Sequence, residues 1–129
     1  MGYLDSLGRP FITIYVLFPA MRNEGNIDFL IDTGSDSTVL SGADATLLGV
    51  DVSRLTTVGT THGIEGMDVP KLGIPAEGIL ILTADDSQMK ELLLPRSQVI
   101  QNLPLSLLGR DIIQQFHLFF DSSSVYLTD

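Results

Sequence analysis

Two short stretches carry residues whose types and spacing suit acid–base chemistry. The first is "FLIDTGSDSTVL", residues 29–40, in which an apolar run is broken by Asp32, Thr33, Gly34, Ser35 and Asp36 and then resumes. A carboxylate set between two apolar strands is a candidate proton acceptor or donor. The second is "LSLLGRD", residues 105–111, an apolar pair and glycine followed by charge. Taken alone, Asp-Thr-Gly also reads as an ordinary turn, because Asp and Gly both favour turns. A metal site at Asp32 and Asp36 lacks further ligands, and no metal or cofactor is expected.

The elements that must position these residues are mostly strands. "RPFITIYVL" (9–17) alternates and is rich in β-branched and aromatic residues, "PAMRNEGN" (19–26) reads as a turn, and "IDFLID" (27–32) as the return strand ending on Asp32. "STVLS" (37–41) is a further strand. Ser41, with Asp44 three residues on, predicts the cap of a short helix through Leu48, stopped by Gly49. Residues 55–74 read as a long hairpin with its tip at Gly63, Ile64, Glu65 and Gly66. "EGILIL", "KELLLP", "SQVI" and "LSLLG" are expected as strands, "RDIIQQF" (110–116) as a short helix, and "HLFFD" with "SVYLT" as a closing hairpin. Many short strands and little helix predict an all-β, closed barrel-like fold, built as a single domain over residues 1–129.

Composition narrows the function classes. Seven basic residues against sixteen acidic give a net charge of −9, which disfavours a phosphate-binding face and hence nucleic acid. The longest apolar run is too short to span a membrane. There are no cysteines, so no disulfide framework or thiolate metal site is available. The first residues lack the basic start and apolar core of a signal peptide, so a cytoplasmic location is expected. Met1, Gly2 and Ser6 formally fit a myristoylation pattern, without any basic cluster to support it.

With its flanks, the pattern apolar–apolar–Asp-Thr-Gly-Ser-x-x-Thr-Val-Leu resembles the aspartic proteases, in particular the single-domain retropepsin-like group. "LLGRD" is similar to that family's second signature, the Gly63–Gly66 tip lies where the family has its flap, and Arg9-Pro10 resembles the start of the retroviral enzymes. The resemblance implies one lobe per chain, with a flap hairpin and one or two short helices. It implies peptide hydrolysis by two carboxylates that share a proton and activate one water. The chain has one Asp-Thr-Gly, so the second carboxylate would be the Asp32 of another subunit, in a two-fold homodimer acting on extended peptides. On that basis Asp32, Thr33 and Gly34 are the catalytic loop. Ser35, Asp36, Gly63, Ile64, Glu65, Gly66 and Leu105 would meet substrate. Arg110 would pair with Asp36 in a buried ion pair behind the site, and Arg9 would either reach Asp36 of the other subunit or stand as a solvated terminal residue. The Ser35 hydroxyl would either donate to the Asp32 carboxylate and stabilise its ionised form or simply satisfy its own turn. Asp111 is a poor second catalytic group, since the family places that position at the start of the helix. Ser35 and the long C-terminal hairpin look more pepsin-like than retroviral. The competing reading is a catalytically silent domain of this family, used for dimerisation or peptide binding.

Overall fold

The computed structural model describes residues 2–62, 68–83, 89–95, 97–120 and 124–128. As expected, the chain is mostly strand. Alternating apolar residues make β2 (Pro10–Phe18) and β3 (Asn23–Ile31) the central antiparallel pair, with Phe11 opposite Leu30 and Phe18 opposite Asn23. Ile14, Val16, Phe18, Ile27 and Phe29 point inward and are fully buried, while the intervening positions face outward.

The return strand starts earlier than its apolar residues suggest. Only residues 19–22 turn: Met21 N donates to Phe18 O and Arg22 N to Pro19 O, and Arg22 closes the reversal at φ 58°. Asn23 to Asn26 then already pair with β2. Their polar side chains suit the outer end of a hairpin, and the backbone ladder forms regardless. A strand that periodicity misses is β1 (Gly2–Leu4), which lies antiparallel on β2. Asp5 makes this possible. Its carboxylate accepts from Leu7 N and Arg9 N, and Gly8 at φ 77° turns the chain back.

Next come β4 (Val39–Ser41) and α1 (Gly42–Leu47). Ser41 caps the helix by accepting from Asp44 N at 3.1 Å, and Gly49 in the left-handed region ends it, both as its sequence predicts. A single helical turn at Val52–Arg54 follows, capped by Asp51. The long hairpin is β5 (Thr56–His62) and β6 (Asp68–Ile74). After it come β7 (Gly78–Thr83), β8 (Met89–Leu94), β9 (Ser97–Ile100) and β10 (Ser106–Leu108). Helix α2 covers Arg110–Ile113, shorter than the expected 110–116. Finally β11 (His117–Phe120) and β12 (Val125–Thr128) form the predicted closing hairpin, with His117 opposite Thr128.

The main sheet runs β5-β6-β9-β4-β10-β3-β2-β7-β8, with β1 added on β2. Among the described residues its end strands, β5 and β8, do not hydrogen-bond to each other, so the barrel is wrapped rather than bonded shut. The wrapping is tight: a side-chain carbon on Gly78 of β7 would lie 3.0 Å from both Phe18 and Ser97 of β9. One core fills the interior, with Leu80, Val99, Leu108, Ile112, Val125 and Leu127 joining the β2–β3 residues. Among the described residues no helix is long and apolar enough to cross a membrane.

Candidate active site

Two crossovers bring the two motifs together. β10 lies parallel to β3, with Leu107 opposite Leu30 and Leu108 opposite Ile31, and antiparallel to β4 through Leu107 and Val39. The strand before the Asp-Thr-Gly loop and the strand after it therefore both flank β10. The ladder continues one residue further, where Asp32 N donates to Leu108 O at 3.0 Å. Asp32 is thus delivered at the end of a buried strand rather than on a free loop.

The loop is held from within. Ser35 N donates to Asp32 O at 3.2 Å, and Gly34 N donates to Asp32 Oδ1 at 2.9 Å. This leaves Oδ2 without a protein donor among the described residues. A side-chain carbon on Gly34 would sit 3.2 Å from Oδ1, so any larger residue would crowd the carboxylate. Asp32 is half-buried, whereas Thr33 and Gly34 are exposed in the single chain.

A second set of bonds clamps the loop from behind. Arg110 N donates to Ser35 O at 2.8 Å and Asp111 N to Asp36 O at 3.3 Å. The buried Thr38 hydroxyl accepts from Gly109 N at 3.0 Å and donates to Asp111 Oδ1 at 2.7 Å. Asp111 also accepts from Thr38 N and from Ile112 N. Gly109 is required by this closeness, since a side-chain carbon there would lie 2.4 Å from the Ser37 carbonyl carbon. Thr38 and Asp111 are the residues that the reading of the sequence left without this role. The available signal was a threonine and an aspartate embedded in the two motifs, each beside the other's glycine loop only after folding.

Several expectations change. The Ser35 hydroxyl donates to Ser37 O at 2.8 Å, not to Asp32, because the turn folds it toward its own loop. Arg110 and Asp36 do form an ion pair, but in the single chain their side chains are 47% and 83% exposed, so the pair is not buried. Arg9 is engaged within its own chain: Nε is 2.8 Å from Asp5 Oδ2 and the guanidinium lies 5.5 Å over the Phe11 ring. Burial pushes the Asp5 carboxyl up, but the backbone N–H and guanidinium of Arg9 and the Leu7 N–H outweigh it and hold the group below its usual range. Leu105 is half-buried and lines an open groove with Pro104 and Asp28. Gly63, Ile64, Glu65 and Gly66 lie outside the described residues, as do the middle of the 83–88 turn and the tip of the closing hairpin. Among the described residues no three His, Asp or Glu side chains converge as metal ligands.

Comparison with known proteins agrees with this geometry. A family model described as "Aspartyl protease" matches residues 18–112, which include both motifs and the clamp between them. No curated protein matches the chain in sequence. Among solved structures, a retropepsin-like aspartic protease from Rickettsia conorii superposes with a TM-score of 0.65 at 20% identity, over 97% of this chain and 86% of that one. EIAV protease, in complex with the inhibitor HBY-793, superposes with a TM-score of 0.58 at 23% identity, over 83% of this chain and 86% of that one. The fold is therefore that of the retropepsin-like enzymes, and with the family match spanning most of its length the chain belongs to the aspartyl protease family.

Proposed function

We propose that this chain is one half of a homodimeric aspartic endopeptidase. The observation that carries the reading is a solitary Asp-Thr-Gly, rigidly presented, with a half-buried carboxylate and exposed Thr33 and Gly34 beside it. A two-fold axis through that exposed loop would set Asp32 against the Asp32 of a second subunit. Two carboxylates about 3 Å apart cannot both ionise easily, so the pair holds one proton between them. The ionised member takes a proton from water as the water attacks the peptide carbonyl. The protonated member donates to the carbonyl oxygen, and the proton then passes to the departing amine. The two titrations belong to the pair rather than to either residue.

The neighbours have roles in this proposal. Thr33 bonds across the axis, Gly34 admits the substrate backbone, and Asp36, fixed by Arg110, meets it further along. The β5–β6 hairpin serves as the flap that closes over the peptide and excludes water.

The test is cleavage of an unstructured protein from acid to neutral pH, alongside ultracentrifugation. Asp32→Asn is expected to abolish turnover while leaving the dimer intact. Mixing equal amounts of wild type and Asp32→Asn after subunit exchange should leave about a quarter of the fully paired activity, as random pairing requires. Half the activity would mean that each subunit works alone. A folded dimer that cleaves nothing at any pH would favour the silent, peptide-binding reading instead.

A further inference from the structure

The face of the sheet that carries Asp32 does not end at the catalytic loop. Side chains alternate along β3, so Asp28, Leu30 and Asp32 share the outer face while Ile27, Phe29 and Ile31 enter the core. Leu107 and Phe11 stand opposite Leu30 on either side, and Tyr3 stands opposite Phe11. This strip opens into a groove of about 590 Å³ lined by Tyr3, Phe11, Asp28, Asp44, Leu47 and Leu105, among others. Asp28, in its lining, lies four strand positions from Asp32, about 13 Å at ~3.3 Å per residue.

The groove has an apolar wall and an unneutralised rim. Tyr3 and Phe11 stack with ring centroids 5.5 Å apart, and Leu47 at 74% exposure forms a bare apolar edge. Asp5, also in the lining, is neutralised by Arg9. Asp28 and Asp44 have no cationic partner among the described residues. They are fixed by neutral hydroxyls: Tyr3 and Thr13 donate to Asp28, and Ser106 donates to Asp44. Both carboxylates are thus oriented by neutral partners rather than by a cation.

An apolar slot with two oriented carboxylates matches a long side chain with a hydrocarbon stem and a cationic head. We propose that this groove seats a lysine or arginine side chain of the peptide substrate, within about four residues of the scissile bond. Asp28 and Asp44 would receive the cation, and Tyr3, Leu47 and Leu105 would cover the stem. Among extended peptides, the enzyme would therefore select basic ones. This rests on the protease reading for the placement of the scissile bond, while the groove's charge preference can be measured without turnover.

The experiment uses the full-length Asp32→Asn protein and fluorescent peptides that differ only in lysine or norleucine at one scanned position. The lysine peptide should bind about three- to tenfold tighter at one or two positions at low ionic strength, with the advantage shrinking as salt is added. In the Asp28→Asn/Asp44→Asn variant the lysine-to-norleucine ratio should fall to about one. Asparagine retains an acceptor for Tyr3, Thr13 and Ser106, and circular dichroism confirms folding. Asp44→Lys should turn the preference toward a glutamate peptide. Equal binding of lysine and norleucine peptides at every position, no binding of either, or a lysine advantage that survives the double variant would overturn the proposal. Wild-type cleavage without any basic preference would sink the groove assignment alone. A lysine preference without cleavage would leave the groove standing and remove the protease reading.

Discussion

Replacing Thr38 by valine keeps its shape and removes one oxygen. That oxygen is the acceptor for the buried Gly109 N–H at 3.0 Å and the donor to Asp111 at 2.7 Å. The two losses differ in cost. Asp111 lies at the surface and keeps Thr38 N and Ile112 N as donors, so water can take the hydroxyl's place. The Gly109 N–H has no such recourse, and an unsatisfied buried donor costs about 1–3 kcal/mol. Thr38→Ser keeps the hydroxyl and gives up one methyl group, worth about 0.8 kcal/mol. For a chain of this size each kcal/mol moves Tm by roughly 3–5 °C, so Thr38→Val should melt about 3–15 °C below wild type and Thr38→Ser about 2–4 °C below. Calorimetry or fluorescence melts at one fixed protein concentration measure both, since any subunit association would make Tm concentration-dependent. The catalytic rate should fall with Thr38→Val as well, because the same bond fixes Gly109 against the Asp32 loop. A Thr38→Val variant that melts no lower than Thr38→Ser would refute the clamp as drawn.

Ser35→Ala should leave the pH–rate profile in place, because the hydroxyl serves Ser37 O and not Asp32; a raised or lowered optimum would show that the hydroxyl reaches the carboxylate during the reaction. Arg110→Ala should change the unfolding free energy by less than about 1 kcal/mol in urea titrations under dissociating conditions, as befits an exposed ion pair. Asp51 accepts from the Ser53 hydroxyl at 2.6 Å and Ser53 N at 3.2 Å. The Ser53 hydroxyl and N–H, aided by Arg54 and opposed by slight desolvation, hold its carboxyl below the usual range. A depressed folded-state value contributes stability above the unfolded value of about 3.9 and loses it as pH falls through the folded value. Denaturation of wild type against Asp51→Asn should therefore show a gap at neutral pH that closes at the acid end; a gap that widened there would reverse the sign of the argument.

Much of the fold was legible because the periodicity of its strands is strong. Residues 9–17, 77–82 and 90–95 each announce themselves by alternating or continuous apolar residues, and Ser41 with Gly49 marks both ends of α1. What failed to show is where polar residues form structure through the backbone alone. Asn23 to Asn26 look like a turn, yet they complete a ladder whose register is set by the tight reversal at Arg22. Gly2–Leu4 pairs only because Asp5 and Gly8 fold the chain back on itself. At the site, Asp32 was visible from its motif, while the service that Thr38 and Asp111 perform depends on contact between residues 73 positions apart. Of the two readings of Ser35, the turn prevails for a local reason: a carbonyl of its own loop lies within reach.

The parallel pairing of β3 with β10 also governs when the site can exist. Asp32 is synthesised well before Leu108 O, Gly109 N and the Asp111 carboxylate that brace its loop. Non-local parallel pairing is entropically costly and tends to form late. A nascent chain halted anywhere before Ser106 would carry the Asp-Thr-Gly triplet without the strand that holds it in place. The carboxylate would then be an ordinary acidic residue on a mobile loop. The architecture thus delays the chemistry until β10 and the start of α2 have emerged.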